Sequence, residues 1–259
     1  MMADFWKDKV VIVTGASSGV GRSCVEEMSA RRAKVVLAAR RLERMQEIGE
    51  TLPRESTLIV QTDVGKQGQV EAMVRRTVEH FGRVDVLVNN AAVGMGGNVI
   101  TCPLDKYEEL MQINVFGALY CMRAVYPHMK AQGGGAIVNV SSIAGFKGFY
   151  TCGLYASSKH ALNGMSESLG ETARKDNIHV ALICPGKIET EFDQKLLYFE
   201  GKRSTENSGI EPVEVCRAIM RAVEKKKCLI VLGKKCMPLY LLNRLSPELT
   251  NFLIRKLYA

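Results

Sequence analysis

Long hydrophobic runs are missing from this 259-residue sequence. No stretch approaches the roughly 20 apolar residues that a membrane-spanning helix requires. The charged N-terminus, Met1-Met-Ala-Asp-Phe-Trp-Lys-Asp-Lys9, lacks the apolar core of a secretory signal. Paired cysteines are missing too. Eight are present, Cys24, Cys102, Cys121, Cys152, Cys184, Cys216, Cys228 and Cys236, with no Cys-x-x-Cys among them. That scatter excludes a disulfide miniprotein and suits free, mostly buried thiols in a reducing compartment. His80, His128, His160 and His179 show no ligand spacing, so no metal is expected. A cytoplasmic protein is the expectation.

A single-sign charge run is also lacking over most of the chain. Residues 1–200 carry 23 basic and 22 acidic side chains, whereas residues 201–259 carry 12 and 5. The net charge of +8 therefore belongs largely to the C-terminal end. Hydrophobic residues at 47% and charged residues at 24% are ordinary for a globular chain and exclude disorder and coiled coil.

Short β-branched runs recur at 10–13, 34–39, 57–61, 84–89, 136–141, 179–184 and 229–232. They are continuous rather than alternating, as in strands buried on both faces of a parallel sheet. Helical patterns lie between them at 20–36, 41–51, 66–81, 104–131, 154–175 and 211–226. The alternation predicts an α/β fold, a doubly wound Rossmann-type parallel sheet flanked by helices on both faces. No linker rich in Pro, Gly or Ser divides it. Residues 1–233 are read as one domain, with 234–259 as a basic, apolar helical extension of it.

The first strand runs into Thr14-Gly-Ala-Ser-Ser-Gly-Val-Gly21. Gly15, Gly19 and Gly21 allow a tight turn and a close approach to a pyrophosphate, which the following helix N-terminus attracts. A triphosphate-binding loop is excluded because Val20 stands where its second glycine belongs. After the second strand, where a carboxylate would bind the adenosine ribose of NAD, stand Arg40 and Arg41. Guanidinium groups there suit a 2′-phosphate, hence NADP(H).

Tyr155-Ala-Ser-Ser-Lys159 puts a phenol and an ammonium on one helix face, where the ammonium is expected to lower the phenol pKa. Together with Asn89-Asn-Ala-Ala92, Ser141-Ser142 and Cys184-Pro-Gly-Lys-Ile-Glu-Thr190, these motifs resemble the short-chain dehydrogenase/reductase family over about residues 9–233. The resemblance implies hydride transfer between NADP(H) and a small carbonyl or alcohol substrate, with Tyr155 as general acid and base. It further implies that Lys159 tunes Tyr155 and holds the nicotinamide ribose. Ser142 would bind the reacting oxygen, and Asn114, as the family's helix-kink asparagine, would support a proton-relay water. Ser17, Ser18, Val20, Asp63, Val64, Asn90, Pro185, Gly186, Ile188 and Thr190 join the implied cofactor contacts. Ala92 departs from the family pattern, which has glycine there. Homodimers or homotetramers through the helices at 104–131 and 154–175 are implied as well.

The loops at 94–97 and 146–152 and the segment 187–210, with Phe192, Leu196, Leu197, Tyr198 and Phe199, are expected to form the substrate pocket. Residues 187–210 are read as its lid. Two readings stand for the basic end: packing on the domain or across a subunit interface, and peripheral contact with a membrane surface. Nucleic acid is not expected, since no reader motif or aromatic stripe accompanies the lysines. The alternative to an enzyme is an NADPH-binding regulatory or scaffold protein on the same fold.

Overall fold

The computed structural model describes residues 5–200 and 209–258. Seven strands form one sheet in the order β3-β2-β1-β4-β5-β6-β7, every neighbouring pair parallel. The strands are β1 (Val10–Thr14), β2 (Lys34–Ala39), β3 (Thr57–Gln61), β4 (Val86–Asn89), β5 (Gly135–Val140), β6 (Ile178–Pro185) and β7 (Leu229–Leu232). The expected doubly wound fold is present. Strand order reverses between β1 and β4, and that reversal opens a crevice beyond the strands' C-terminal ends.

The continuous apolar runs follow from burial on both faces. Val11 and Val13 of β1 pack on one side with Val25 and Met28 of α1 (Gly19–Ala30), Met45 of α2 (Leu42–Glu50) and Ile219 of α7 (Pro212–Glu224). Ile12, between them, points to the other side, as the twofold strand repeat requires. There it joins Met73 of α3 (Gln67–Phe81), Leu110 of α4 (Leu104–Met111), Val125 of α5 (Ala118–Ala131) and Leu162 of α6 (Gly153–Ala173). Deleting a side chain such as Leu87, fully buried in β4, is the kind of change that costs about 2–5 kcal/mol.

Two helical expectations are corrected. The helix read as 20–36 ends at Ala30. Arg32 takes a left-handed conformation (φ 63°) and Ala33 N–H returns to Met28 C=O, because residues 34–39 are needed to pair with β1. The helix read as 104–131 is interrupted by a wide, π-type turn at Gln112–Gly117. Val64 explains where it bulges, since even a single carbon added to Gly117 would lie 2.9 Å from its methyl group.

After β7 the chain forms α8 (Cys236–Leu245) and α9 (Pro247–Tyr258). Tyr240 of α8 is buried with its ring 4.6 Å from that of Phe146. No helix among the described residues is long and apolar enough to cross a membrane.

Candidate active site

The glycine loop sits at the strand-order reversal. Gly15 and Gly19 have positive φ values of 67° and 52°, which glycine adopts without steric cost. At Gly21 the demand is for space, because a β-carbon would lie 2.3 Å from the Gly15 carbonyl oxygen. The loop is held from the β4 side. Thr14 Oγ1 accepts from the N–H groups of Asn90 (3.0 Å) and Ala91 (3.1 Å), and Asn90 Nδ2 donates to Thr14 C=O at 2.9 Å. Asn90 thus braces the loop from behind. Helix α1 starts with Ser18 as its N-cap, makes no side-chain cap bond there and has no acidic residue in its first turn. Its leading N–H groups face the crevice as an anion-binding end.

Beside this loop lies a cleft of about 560 Å³, lined among others by Ser17, Ser18, Gly19, Arg22, Arg44 and Thr190. Arg41 donates from Nη2 to Ser17 (2.9 Å) and Ser18 (2.7 Å). Arg40 is exposed, and its carbonyl accepts from Gln61. Arg44, three residues beyond Arg41 on α2, also turns toward the cleft. Both its contacts, at 3.1 Å, go to the Glu191 carboxylate. Sequence reasoning missed Arg44 and Glu191. The i, i+3 spacing of Arg41 and Arg44 was a usable signal for the first; the second, 147 residues away, left none.

The opposite end of the crevice is more enclosed, with Tyr155 and Ser142 half-buried and Lys159 buried. Lys159 is 2% exposed and donates to Val140 C=O at 3.0 Å. Burial pushes its pKa down to about 8. Tyr155 stands one turn earlier, with Lys159 Nζ 5.8 Å from its ring centre. The expected lowering of the phenol pKa is not what this arrangement produces in the protein alone. Loss of hydration pushes the Tyr155 pKa above its ordinary value, and a hydrogen bond with Ser142 works against that rise. Burial wins because desolvation outweighs every opposing influence on the phenol in the protein alone.

The remaining predicted residues form the frame. Ser142 caps the short turn Ile143–Gly145 by accepting from Ala144 N–H at 3.1 Å. Asn114, 1% exposed, lies on the wide turn and exchanges both bonds with the Val93 backbone at 2.9 Å. It also donates to Ser158 at 3.1 Å, which ties α6 to the segment after β4. Asp63 accepts from Gly65 N–H at 3.0 Å and closes the turn after β3, with Val64 buried beside it.

Pro185 ends β6, and Gly186 N–H bonds to Leu232 C=O at 2.9 Å. Ile188 bridges to Ile210, and the Thr190 methyl sits so close to Gly19 that an added β-carbon there would be 2.9 Å away. The expected pocket segments are joined by backbone bonds, Leu197 N–H to Gly94 C=O at 2.9 Å and Gly97 N–H to Thr151 C=O at 2.8 Å. Phe192 stands edge-on to Tyr155 at 5.9 Å. Of the expected lid, residues 201–208 lie outside the described residues.

A family model described as short chain dehydrogenase matches residues 9–200. An uncharacterized oxidoreductase of Staphylococcus saprophyticus is 34% identical over 224 residues, covering 85% of this chain and 91% of that one. The uncharacterized oxidoreductase YxnA of Bacillus subtilis is 34% identical over 258 residues, covering 97% and 72%. Among solved structures, a short chain dehydrogenase/reductase from Burkholderia phymatum in complex with NAD superimposes with a TM-score of 0.86. It is 26% identical and covers 94% of this chain and 95% of that one. ElxO with NADP bound gives a TM-score of 0.79 at 25% identity, covering 89% and 99%.

Proposed function

The chain belongs to the short-chain dehydrogenase/reductase family of oxidoreductases, and on that premise we propose that it uses NADP(H) to interconvert an alcohol and its ketone or aldehyde. The observation that carries the reading is the convergence of Tyr155, Ser142 and Lys159 at one end of a crevice whose other end is a glycine loop. The donor set suits a dinucleotide. The anion-binding end of α1 takes the pyrophosphate, and Arg41 and Arg44 take a 2′-phosphate. The ElxO structure has NADP bound and the Burkholderia one NAD, so relatives alone do not choose; the two guanidinium groups favour NADP(H).

When bound, the reduced nicotinamide supplies the hydride to the carbonyl carbon. Tyr155 O–H gives its proton to the substrate oxygen, and Ser142 hydrogen-bonds that oxygen as charge develops. The phenolate left behind faces the Lys159 ammonium, which favours it once the charge forms. In oxidation the same phenolate takes the alcohol proton. Asn114 keeps α6 and the segment after β4 in register, so that Lys159 is held beneath Tyr155.

A panel of carbonyls and alcohols, followed by NADPH absorbance, tests this. Turnover in the wild type, absent in Tyr155→Phe that still binds NADPH, is expected. Full activity in Tyr155→Phe, or a panel with no turnover and a protein that binds NADPH only, rejects the assignment.

A further inference from the structure

Glu191 reaches across the crevice. It opens the short turn Glu191–Gln194, and its carboxylate meets Arg44 Nη1 at 3.1 Å and Arg41 Nη1 at 3.5 Å. Lys195, one turn further on, pairs with the same carboxylate. Arg41 Nε and Nη2 donate to the Ser17 and Ser18 hydroxyls. A carboxylate and a phosphate monoester present similar oxygens to a guanidinium fork, so both suit one seat. We propose that Glu191 is the resident anion of the Arg41–Arg44 seat and that a 2′-phosphate entering it displaces this carboxylate. The inference rests on the NADP(H) reading above.

The consequence lies at the other end of the crevice. The residue after Glu191 is Phe192, which stands on Tyr155, and Phe192 and Leu196 both crowd Gly94 so closely that a β-carbon there would fall within 2.8 Å of each. Displacing Glu191 frees the segment that lies over the catalytic phenol. Phosphate recognition and access to Tyr155 are then coupled through a few residues of one strand-to-helix connection, and by linkage the coupling is reciprocal.

Binding of 2′,5′-ADP and of 5′-ADP to the full chain, by titration calorimetry, tests the seat without turnover. In Glu191→Gln, 2′,5′-ADP is expected to bind about threefold to tenfold more tightly, because an exposed ion-pair competitor is gone. Affinity for 5′-ADP is expected to stay unchanged. A Phe192→Trp reporter is expected to change emission when 2′,5′-ADP is added and not with 5′-ADP. Discrimination by the wild type with no gain in Glu191→Gln overturns this inference alone. No discrimination in either protein overturns it together with the NADP(H) reading.

A separate observation concerns α8 and α9. Their inner face is anchored beside Ser142: Asn243 donates to Phe146 C=O at 2.9 Å, Lys147 bonds to Asn251, and Thr250 is fully buried. The outer face exposes Met237, Leu241, Leu245, Leu249, Phe252 and Leu253, with Leu245 85% open. Lys234 and Lys235 flank it at one end, Arg255 and Lys256 at the other, with Glu248 as the acidic residue between. A second copy laid on this face would set lysines and arginines against their own kind. An anionic lipid surface complements both the charge and the apolar side chains. We infer that this face docks on such a surface.

Sedimentation of the full chain with phosphatidylserine-containing vesicles is expected to pellet it. Pure phosphatidylcholine vesicles, high salt or the double variant Leu245→Glu/Phe252→Glu are expected to leave it in the supernatant. Equal recovery from both vesicle types overturns the inference. So does a variant that keeps pelleting, or one whose light-scattering mass falls while the wild type never pellets, which marks the face as a subunit contact.

Discussion

The two ends of the crevice hold cations in opposite ways. At the glycine-loop end Arg41 and Arg44 are partly solvated and share a carboxylate whose pKa is held down to about 2, first by Lys195 and then by Arg44. At the catalytic end Lys159 is buried against a backbone carbonyl, and its pKa falls to about 8 through loss of hydration. Under the proposed function the first end binds by gathering charges that water already tolerates. The second then works by limiting water, so that a proton moves between groups whose charged forms are both costly. Changes at the enclosed end should therefore be severe and changes at the wet end graded.

The largest expected effect is at the enclosed end. Tyr155→Phe removes the transferable proton and should lower turnover about 10²- to 10⁴-fold, with NADPH binding, read by fluorescence titration, largely kept. A loss of binding equal to the loss of turnover would break the division between the ends. Next, Gly21→Val forces a side chain against the Gly15 carbonyl. Such overpacking costs about 1–3 kcal/mol, and the variant should lose dinucleotide affinity of both kinds in calorimetry together with part of its stability in thermal melts.

At the wet end the effects should be smaller and selective. Arg44→Ala should weaken NADPH about tenfold, the value of a charge-assisted bond, and leave NADH unchanged; an equal loss for both would erase the claim that this end reads a phosphate. The last effect, read as stability rather than activity, sharpens the comparison through pH. Because the folded pKa of Lys159 lies below its unfolded value, the unfolded chain binds more protons between about 8 and 10.5. Stability therefore gains as pH rises across that window and lacks this contribution below it. Lys159→Met should melt a few degrees higher than the wild type at pH 7, with the gap closing toward pH 10. A gap independent of pH would show that the buried ammonium is not the cause.

The parts legible in the sequence were those fixed by neighbours in the chain. Seven apolar runs announced seven strands, since burial on both faces leaves no place for polar alternation. The spacing of Tyr155 and Lys159 placed them on one helix face. Length was harder to read. The apolar period of α1 carries on past Ala30 into β2, and only the ladder with β1 decides where the helix stops. The apolar period of 104–131 shows no break, and the kink that the resemblance implies at Asn114 takes its form from Val64 against Gly117 and from Asn114 bound to Val93. The arginine pair was half legible: Arg40 and Arg41 stood out by their place after β2, of which Arg41 turns to the glycine loop and Arg40 to solvent, whereas Arg44 did not, because its partner comes from a distant loop.

Sequence by itself determined the doubly wound sheet, the glycine loop and the phenol–ammonium pair, all written in periodicity, glycine spacing and one helical turn. The tertiary structure decided how those groups behave. It raised the Tyr155 pKa where a neighbouring ammonium alone predicts a fall, because burial is a property of everything packed around a site. It also set Glu191 between two arginines some 150 residues away, because an ion pair of that kind exists only once the strands have brought both loops to the same end of the sheet.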